Sequence, residues 1–346
     1  MGLEFKNISH RYGISAALKD INLTAHPGEV LCLLGPSGCG KTTLLNIAAG
    51  VLKLQDGEIW LDDKQLAVPS NCPAPEARPI GLVFQDGALF PHMTVSENIA
   101  FGLSRQADHK AVVANLLDQI GLPDFGTRYP HTLSGGQQQR VAVARALAPE
   151  PQVLLMDEPF ANIDIALRRQ LREDIRQFLK SQNCNSIIVT HDPEEAMEIS
   201  DKIAVMETGH IIQTGRPSEI YHAPKSLSVA RLTSDGTAIK AHIKNNHVMS
   251  DIGAWPLDCL TDQTIISSGT ELDLFIRPRC VTPVIAKNKQ DLIIKDVRNT
   301  GQVQFLTLQT VKRESFSFQV DTKPEWSLGQ SVGLVPRPKS IVAFVH

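Results

Sequence analysis

The feature that most constrains the fold is a glycine-rich loop close to the N-terminus. Residues 35–42, Gly-Pro-Ser-Gly-Cys-Gly-Lys-Thr, match the pattern G-x-x-x-x-G-K-[ST] at every fixed position. An apolar run, residues 30–34, precedes the loop, and a segment typical of a helix follows it. Glycines let backbone N–H groups approach phosphate oxygens, and a helix N-terminus adds positive charge. This order of strand, loop and helix therefore predicts a nucleotide-binding domain.

The residues of the loop have predicted roles. We expect Lys41 to reach the β- and γ-phosphates of a nucleoside triphosphate, and the hydroxyl of Thr42 to ligate Mg²⁺. A plain glycine turn before a helix is the alternative, but such a turn does not require every fixed position of the motif. The predicted nucleotide-binding residues of this segment are Gly35, Pro36, Ser37, Gly38, Cys39, Gly40, Lys41, Thr42 and Thr43.

Two adjacent acids end a second apolar run. Residues 153–156 are Val-Leu-Leu-Met, and Asp157 and Glu158 follow them directly. If this run is a parallel strand, its carboxyl end lies beside the phosphate loop. We therefore predict that Asp157 binds Mg²⁺, directly or through a water, and that Glu158 polarises an attacking water. A solvated acidic strand end is the alternative.

The first two thirds of the chain alternate short apolar runs with segments of helical period, which predicts an α/β domain with a mainly parallel sheet. The expected strands of this sheet are residues 30–34, 80–84, 153–156, 186–190 and 202–206. The residues between the second and third of these strands are expected to form a helical insert. A later set of apolar residues at helical spacing predicts one buried helix face: Ile163, Leu167, Leu171, Ile175, Phe178 and Leu179.

The length of 346 residues exceeds what one hydrophobic core normally supports, so two domains are expected. After about residue 230, short stretches alternate apolar and polar residues between turns, which is typical of a small all-β domain. We predict an ATP-binding domain at 1–230, with a helical subdomain at about 86–150, and an all-β domain at 231–346. The aromatic residues expected in the core of the second domain are Trp255, Phe275, Phe305, Phe316, Phe318, Trp326 and Phe344.

Composition excludes several classes of function. A formal charge of -3 argues against a broad nucleic-acid-binding face. The six cysteines show no metal-ligand or disulfide-framework spacing, so we expect free thiols in a reducing compartment. No apolar stretch reaches the roughly 18 residues of a spanning helix, and the first residues lack the apolar core of a signal peptide. We expect a cytosolic chain that contacts a membrane only through a partner.

The segment LSGGQQQRVAVARAL, residues 133–147, resembles the signature of ATP-binding cassette (ABC) ATPases. It precedes the acid pair, as in that family, and four more positions follow the family's order. Tyr12 resembles the aromatic residue that stacks on adenine, and Gln85 resembles the Q-loop glutamine. Asp164 resembles the aspartate of the D-loop, and His191 resembles the switch histidine. The resemblance is strong over the first domain. In the second domain it extends little beyond the alternation of apolar and polar residues in short stretches.

The resemblance implies a homodimer in which each ATP is held between two copies. Gln85 would sense Mg²⁺ and the γ-phosphate, and His191 would hold the γ-phosphate and the attacking water. Asp164 would cross the dimer seam. The signature residues expected to act on the ATP of the opposite copy are Ser134, Gly135, Gly136 and Gln137.

Some of these positions have plainer alternatives. Tyr12 could be an ordinary half-buried aromatic residue, and Asp164 could be only a helix cap. The D-loop also departs from the family's common pattern, because Ala161 and Ile163 stand where Ser and Leu are usual. The lost hydroxyl puts communication across the dimer in doubt, but not ATP binding.

Within the family, a separate cassette with a C-terminal β domain is similar to importer subunits, and residues 85–103 are most similar to the ferric-iron importer ATPases.

The resemblance implies an antiparallel N-terminal part in the first domain and an OB-like (TOBE) second domain with a regulatory role. It implies ATP and Mg²⁺ as cofactors, and as partners a second copy, two membrane permease subunits and, indirectly, a solute-binding protein. Phe90 and Pro91 would be exposed to receive the permease at the cytoplasmic face of the inner membrane.

Three alternatives stay open for the function, the weakest of which is a non-enzymatic nucleotide sensor, against which Glu158 and His191 argue. The solute could instead be a polyamine, a sugar or another anion or cation, because no residue of this chain needs to touch it. In another class, the chain could be a soluble ABC ATPase without a transport role and with a partner outside the membrane. No nucleic-acid partner is expected.

Overall fold

A computed structural model describes residues 2–104, 108–161, 163–182, 184–262, 269–278, 280–285, 292–301, 303–321 and 326–345. The chain forms two compact units, Met1–Ser218 and Glu219–His346. The domain boundary expected after residue 230 stays a prediction.

The first unit contains two sheets. Its strands are β1 (Leu3–Tyr12), β2 (Ser15–Ala25), β3 (Val30–Leu34), β4 (Asp56–Leu61), β5 (Lys64–Ala67), β6 (Ile80–Val83), β7 (Val153–Asp157), β8 (Asn185–Thr190), β9 (Lys202–Glu207) and β10 (His210–Gly215). One sheet is antiparallel, in the order β2-β1-β4-β5, and the other has the order β10-β9-β3-β8-β7-β6. In the second sheet, every pair from β9 to β6 is parallel. The predicted α/β fold with an antiparallel N-terminal part is confirmed.

Helices connect and cover these strands. They are α1 (Lys41–Ala49), α2 (Val95–Ala100), α3 (His109–Gln119), α4 (Gly135–Leu147), α5 (Ile165–Gln182) and α6 (Pro193–Ile199). Two further helices, α7 (Pro217–His222) and α8 (Leu227–Thr233), lie at and after the boundary between the two units. Short 3-10 turns occur at Pro75–Ala77, Pro123–Phe125 and Pro130–Thr132. Between β6 and β7 the described residues form α2, α3 and α4 and no strand, as the predicted helical insert requires.

The central strands are mainly apolar because both faces of the sheet are covered. All five residues of β3 are buried. In β7, Leu154 and Met156 belong to the core that includes α4 and α5, whereas Val153 and Leu155 belong to the core that includes α1 and the antiparallel sheet. Since β3, β8 and β7 are parallel neighbours, their carboxyl ends lie at one edge of the sheet.

Helix α5 carries most of the predicted apolar face. Leu171, Ile175, Phe178 and Leu179 are buried, but Leu167 is 53% exposed, so its predicted burial is wrong. Leu167 lies in the first turn of the helix, and the buried residue of the core at this end of α5 is Ile163, which precedes the helix.

The second unit is built mainly of strands. They are β11 (Thr237–Lys244), β12 (His247–Ser250), β13 (Gly253–Pro256), β14 (Glu271–Ile276), β15 (Val281–Ile285), β16 (Leu292–Asn299), β17 (Val303–Gln309), β18 (Ser315–Asp321), β19 (Ser331–Pro336) and β20 (Val342–Val345), with a 3-10 turn at Leu257–Cys259. They form two five-stranded sheets, in the orders β13-β12-β11-β14-β20 and β15-β19-β16-β17-β18. All of their pairings are antiparallel, and the all-β character predicted for the C-terminal part is confirmed.

Aromatic residues contribute to the core of the second unit, and one buried arginine links its helical and β-strand parts. Of the predicted core aromatics, four are buried: Trp255, Phe275, Phe318 and Trp326. The other three are partly buried: Phe305, Phe316 and Phe344. The buried guanidinium of Arg277 donates to the Ser234 hydroxyl at 2.7 Å and lies over the Tyr221 ring. The residues around α8 therefore pack with the β-strands of this unit.

Candidate nucleotide-binding site

The phosphate loop joins β3 to α1, as the motif predicts. Gly38 and Gly40 have φ values of +80° and +108°, in the left-handed region that side chains rarely adopt. A Cβ at Gly40 would lie 2.5 Å from the carbonyl oxygen of Ala17. This position therefore admits only glycine, for reasons of both conformation and space.

Lys41 lies inside this loop rather than in solvent. Its Nζ donates to the carbonyl oxygens of Gly35 at 2.8 Å and Pro36 at 3.0 Å, and the residue is only 5% exposed. The Cys39 sulfur lies 3.7 Å from the same Nζ. A buried ammonium group held by neutral carbonyls creates a strongly positive site at the start of α1, which suits a bound anion.

Thr42 and Asp157 provide adjacent oxygens at the edge of the sheet. The Thr42 hydroxyl donates to Asp157 Oδ1 at 3.2 Å. Burial raises the pKa of Asp157, and the hydrogen bond from Thr42 opposes that shift. Oxygen ligands suit Mg²⁺, which usually takes one or two protein ligands and completes its shell with waters and phosphates. The described residues contain no group of three or more His, Cys, Asp or Glu side chains that could hold a metal ion.

Glu158 and His191 meet where β7 and β8 end. His191 Nδ1 lies 2.9 Å from Glu158 Oε1. The backbone of Glu158 is in the left-handed region, with a φ of +44°, and its N–H donates to the carbonyl oxygen of Val189 at 2.9 Å. The structure thus brings together two residues that are distant in sequence and that were predicted to share one function.

Tyr12 stands at the end of β1 and is 52% exposed, so its ring is accessible to a ligand. Its hydroxyl is 3.5 Å from Thr43 Oγ1, and its ring packs edge-on against His10 at a centroid distance of 4.9 Å. Burial lowers the pKa of His10. His10 was not among the predicted residues, because an isolated histidine in a strand gives no signal at the sequence level.

The signature segment forms the start of α4. The Ser134 hydroxyl accepts a hydrogen bond from Gln137 N at 3.3 Å, and Gln137 Oε1 accepts one from Ser134 N at 3.0 Å. This is a reciprocal capping box, which leaves Gly135 exposed at the first turn of the helix. Among the described residues, no hydrogen bond joins residues 134–137 to the phosphate loop or to the acid pair.

The remaining predicted residues, Gln85 and Asp164, are positioned by β6 and by α5. Gln85 is exposed and follows β6, the edge strand of the sheet. The carbonyl oxygen of Asp164 accepts hydrogen bonds from the N–H groups of Leu167 and Arg168, so this residue directly precedes α5 and lies at its N-terminal end. Asn162, between the two substituted positions of the D-loop, lies outside the described residues.

The surface after Gln85 differs in one detail from the prediction. Pro91 is exposed, but Phe90 is partly buried, packing on Phe101 at a centroid distance of 4.5 Å. The buried side chain of Asn98 fixes this segment, because it accepts from Phe90 N at 2.8 Å and donates to the Phe90 carbonyl oxygen. Phe101 itself is 60% exposed, so Pro91 and Phe101 present the apolar surface here.

Among the helices in the described part of the chain, none combines the length and the apolar character needed to span a bilayer.

A phosphate loop, an acid pair beside it and a capped LSGGQ segment, all attached to one mixed sheet, define an ATP-binding cassette. The comparisons with known proteins agree. Residues 18–161 match the family described as ABC transporter. The chain belongs to this family, and its relatives are ATP-binding proteins of importers. Membership of this family implies ATPase activity.

Individual relatives match over most of the chain. The Fe(3+) ions import ATP-binding protein FbpC of Escherichia coli O157:H7 is 40% identical over 312 residues, which cover 89% of this chain and 87% of the relative. The spermidine/putrescine import ATP-binding protein PotA of Methylococcus capsulatus is 42% identical over 283 residues, 79% of this chain and 72% of the relative. A solved structure of cbiO1 from Clostridium perfringens, described as part of the ABC transporter complex cbiONQ, superposes with a TM-score of 0.58 at 32% identity, over 63% of this chain and 89% of that one.

Proposed function

We propose that this chain hydrolyses ATP to energise the import of a solute through a membrane permease. The observation that carries the hydrolytic role is the contact between Glu158 and His191 at 2.9 Å. Glu158 directly follows Asp157 in the chain, and Asp157 is hydrogen-bonded to Thr42 of the phosphate loop. A base, a partner for the base and a metal-binding pair therefore stand at one edge of the sheet.

The chemistry follows from these positions. The loop N–H groups and Lys41 bind the phosphates, while Thr42, Asp157 and Gln85 would hold Mg²⁺. Mg²⁺, when bound, neutralises negative charge on the phosphate oxygens. Glu158 accepts a proton from the attacking water at its carboxylate, and the hydrogen bond with His191 Nδ1 orients that carboxylate. The other ring nitrogen of His191, Nε2, stays available to contact the γ-phosphate.

The proposed working form is a homodimer. The signature segment is a capped, exposed helix N-terminus, which suits an anion, yet it makes no hydrogen bond to the phosphate loop within the described residues of its own chain. Ser134, Gly135, Gly136 and Gln137 would therefore complete the ATP site of the opposite copy. Asp164 would lie at the seam between the copies.

Two permease subunits are the proposed membrane partners, with a solute-binding protein acting through them. The exposed apolar side chains of Phe84, Pro91 and Phe101, near Gln85, support a docking role for this surface. The chain would work peripherally, at the cytoplasmic face of the inner membrane. We assign a regulatory role to the C-terminal β unit.

Ferric iron is the proposed solute, supported by the FbpC relative, which covers 89% of this chain. Polyamine import is the second candidate, because the PotA relative is 42% identical. Uptake assays on cells that lack this chain separate the two. We expect ferric-iron uptake to be lost and spermidine uptake to be unchanged. The reverse result would assign the polyamine role.

A substitution at Glu158 tests the hydrolytic role itself. Glu158→Gln should bind ATP with nearly unchanged affinity but hydrolyse it about a hundredfold more slowly, because the base is lost and the shape is kept. Glu150→Gln, an equal change at an exposed residue, is the matched control and should retain full activity. Unchanged turnover in Glu158→Gln would refute the assignment.

Co-purification of a permease with the tagged chain separates an importer from a soluble ABC ATPase.

A further inference from the structure

His191 stands between two residues that share one buried hydroxyl. The Thr190 Oγ1 accepts a hydrogen bond from the N–H of Asp192 at 3.0 Å and donates one to Glu195 Oε2 at 2.9 Å. Thr190 is 1% exposed and Glu195 is 4% exposed. The backbone on both sides of His191 is therefore fixed by a single side chain inside the protein.

An arginine from α5 completes this arrangement. Arg172, which is 5% exposed, donates to Asp192 Oδ2 at 2.8 Å and lies 4.0 Å from Glu195 Oε2. The other oxygen of Asp192 accepts the N–H groups of Glu194 and Glu195 and so caps α6. The loop that carries His191 is thus tied to β8, α5 and α6 at once.

Such a network is a costly way to join a strand to a helix. Buried charged groups lose hydration, and well-packed apolar residues of similar volume are often equally stabilising. Within the described structure, Glu195 Oε1 and Arg172 Nε are buried without a hydrogen-bond partner, so stability alone does not account for the network. Buried polar contacts do fix direction, and direction is what His191 needs at 2.9 Å from Glu158.

We propose that Thr190, Glu195 and Arg172 are positioning residues that set the orientation of His191 for ATP hydrolysis. This inference rests on the proposed hydrolytic role of His191 and Glu158. The hydroxyl of Thr190 sets the backbone on either side of the histidine, Glu195 holds that hydroxyl, and Arg172 holds Asp192. A displacement of about 1 Å at a reacting group can cost about a hundredfold in rate, so a small change in this network is measurable.

The sharpest test compares two variants of one residue. Thr190→Val keeps the shape but removes the hydroxyl, whereas Thr190→Ser keeps the hydroxyl. In the full-length chain we expect the single-turnover rate of Thr190→Val to fall about tenfold or more while its Kd for ATP stays within about twofold. Thr190→Ser should return to near the wild-type rate. A fully active Thr190→Val, or an equal loss of rate and affinity, would overturn the proposal.

A second comparison covers the case in which Thr190→Val does not fold. Glu195→Ala removes the acceptor of the Thr190 hydroxyl, and Glu194→Ala changes an exposed neighbour on the same helix. We expect a loss of rate without a loss of ATP affinity only in Glu195→Ala. Equal rates in the two variants would overturn the inference.

The background of His191→Ala separates positioning from general destabilisation. If Thr190 and Glu195 act through the histidine, their substitutions add little further loss of rate once His191 is absent. An undiminished further loss contradicts the proposal. Loss of activity in Glu158→Gln together with a fully active Thr190→Val would reject only this inference, whereas a fully active Glu158→Gln would reject the proposed function.

Discussion

The chain presents two helix N-termini with glycines at or directly before their first turn, and they differ in what surrounds them. At the start of α1, Lys41 is buried among loop carbonyls. At the start of α4, Ser134 and Gln137 form a reciprocal pair of capping hydrogen bonds at an exposed surface. Both ends offer N–H donors to an anion, but only the first has a cation and a pair of acids beside it.

In the proposed homodimer, this difference would divide the reaction between two molecules. The phosphate loop, Asp157, Glu158 and His191 are joined by hydrogen bonds in the same chain. The signature segment has a fixed local shape and no such connection among the described residues. The phosphate loop and the acids beside it should therefore control ATP affinity in a single chain. The signature segment should control only those steps that require two chains.

The largest expected effect comes from the buried cation. Lys41→Ala should weaken ATP affinity by about a thousandfold, because the phosphates lose a desolvated charge partner. Titration calorimetry on the isolated chain measures this change, and Lys53→Ala, at an exposed lysine just beyond the same helix, is the control. If Lys41→Ala binds ATP with wild-type affinity, the buried cation does not distinguish the N-terminus of α1 from that of α4.

The buried network behind His191 should make stability depend on pH. Burial raises the pKa of Glu195 from 4.5 to about 7, against the opposing effects of Thr190 and Arg172. A carboxyl whose pKa is raised by folding favours the folded state most at low pH, and this contribution is lost as the pH rises from about 4.5 through about 7. The free energy of unfolding should fall by up to about 3 kcal/mol over that range.

Glu195→Gln isolates this contribution. The variant should lack that part of the decline, so that its stability relative to wild type improves as the pH rises. Urea unfolding at pH 4.5 and at pH 7.5 measures the difference, with Glu194→Gln as the exposed control. Parallel pH dependence of wild type and Glu195→Gln would show that Glu195 does not titrate in this range.

The sequence predicts the parts of this site that depend on local pattern. The motif at residues 35–42 and the apolar run before Asp157 led to β3, α1 and β7, because a loop motif and buried parallel strands have strong signatures. The network of Thr190, Glu195 and Arg172 was not predicted. Its members lie on β8, α6 and α5, and only the folded chain brings them together.

Two finer details also depended on packing. Leu167 has the spacing of a buried residue and is exposed, because periodicity does not say where along a helix the core ends. Phe90 was expected at the surface and is partly buried by Phe101, since a loop sequence does not report which aromatic residue covers another.

A charge at the signature segment should affect only processes that need two chains. Gly135→Asp places a carboxylate in the first turn of α4, where it is favourable for the helix but repels a phosphate. We expect ATP affinity of the single chain to be unchanged, and turnover to fall about a hundredfold. Gly135→Asn, which has nearly the same shape without the charge, is the control and should lose less.

Light scattering adds the direct measurement for this variant. In the Glu158→Gln background, ATP should drive dimer formation, and adding Gly135→Asp should abolish it. A monomeric Glu158→Gln protein with saturating ATP would contradict the homodimer, and a normal dimer with Gly135→Asp would contradict the role of the signature in it.

The smallest expected effect concerns the base of the nucleotide. Tyr12→Ala should weaken ATP affinity about tenfold through the loss of stacking, and it should leave the affinity for inorganic tripolyphosphate unchanged because the phosphate loop is intact. Tyr12→Phe should resemble wild type, since the contact of the hydroxyl with Thr43 is long, at 3.5 Å. Competition binding with the two ligands measures the difference. If Tyr12→Ala lowers the affinity for both ligands equally, the ring supports the phosphate loop and does not stack on adenine. Tyr12 would then belong to the phosphate-loop region, together with the residues that touch phosphate.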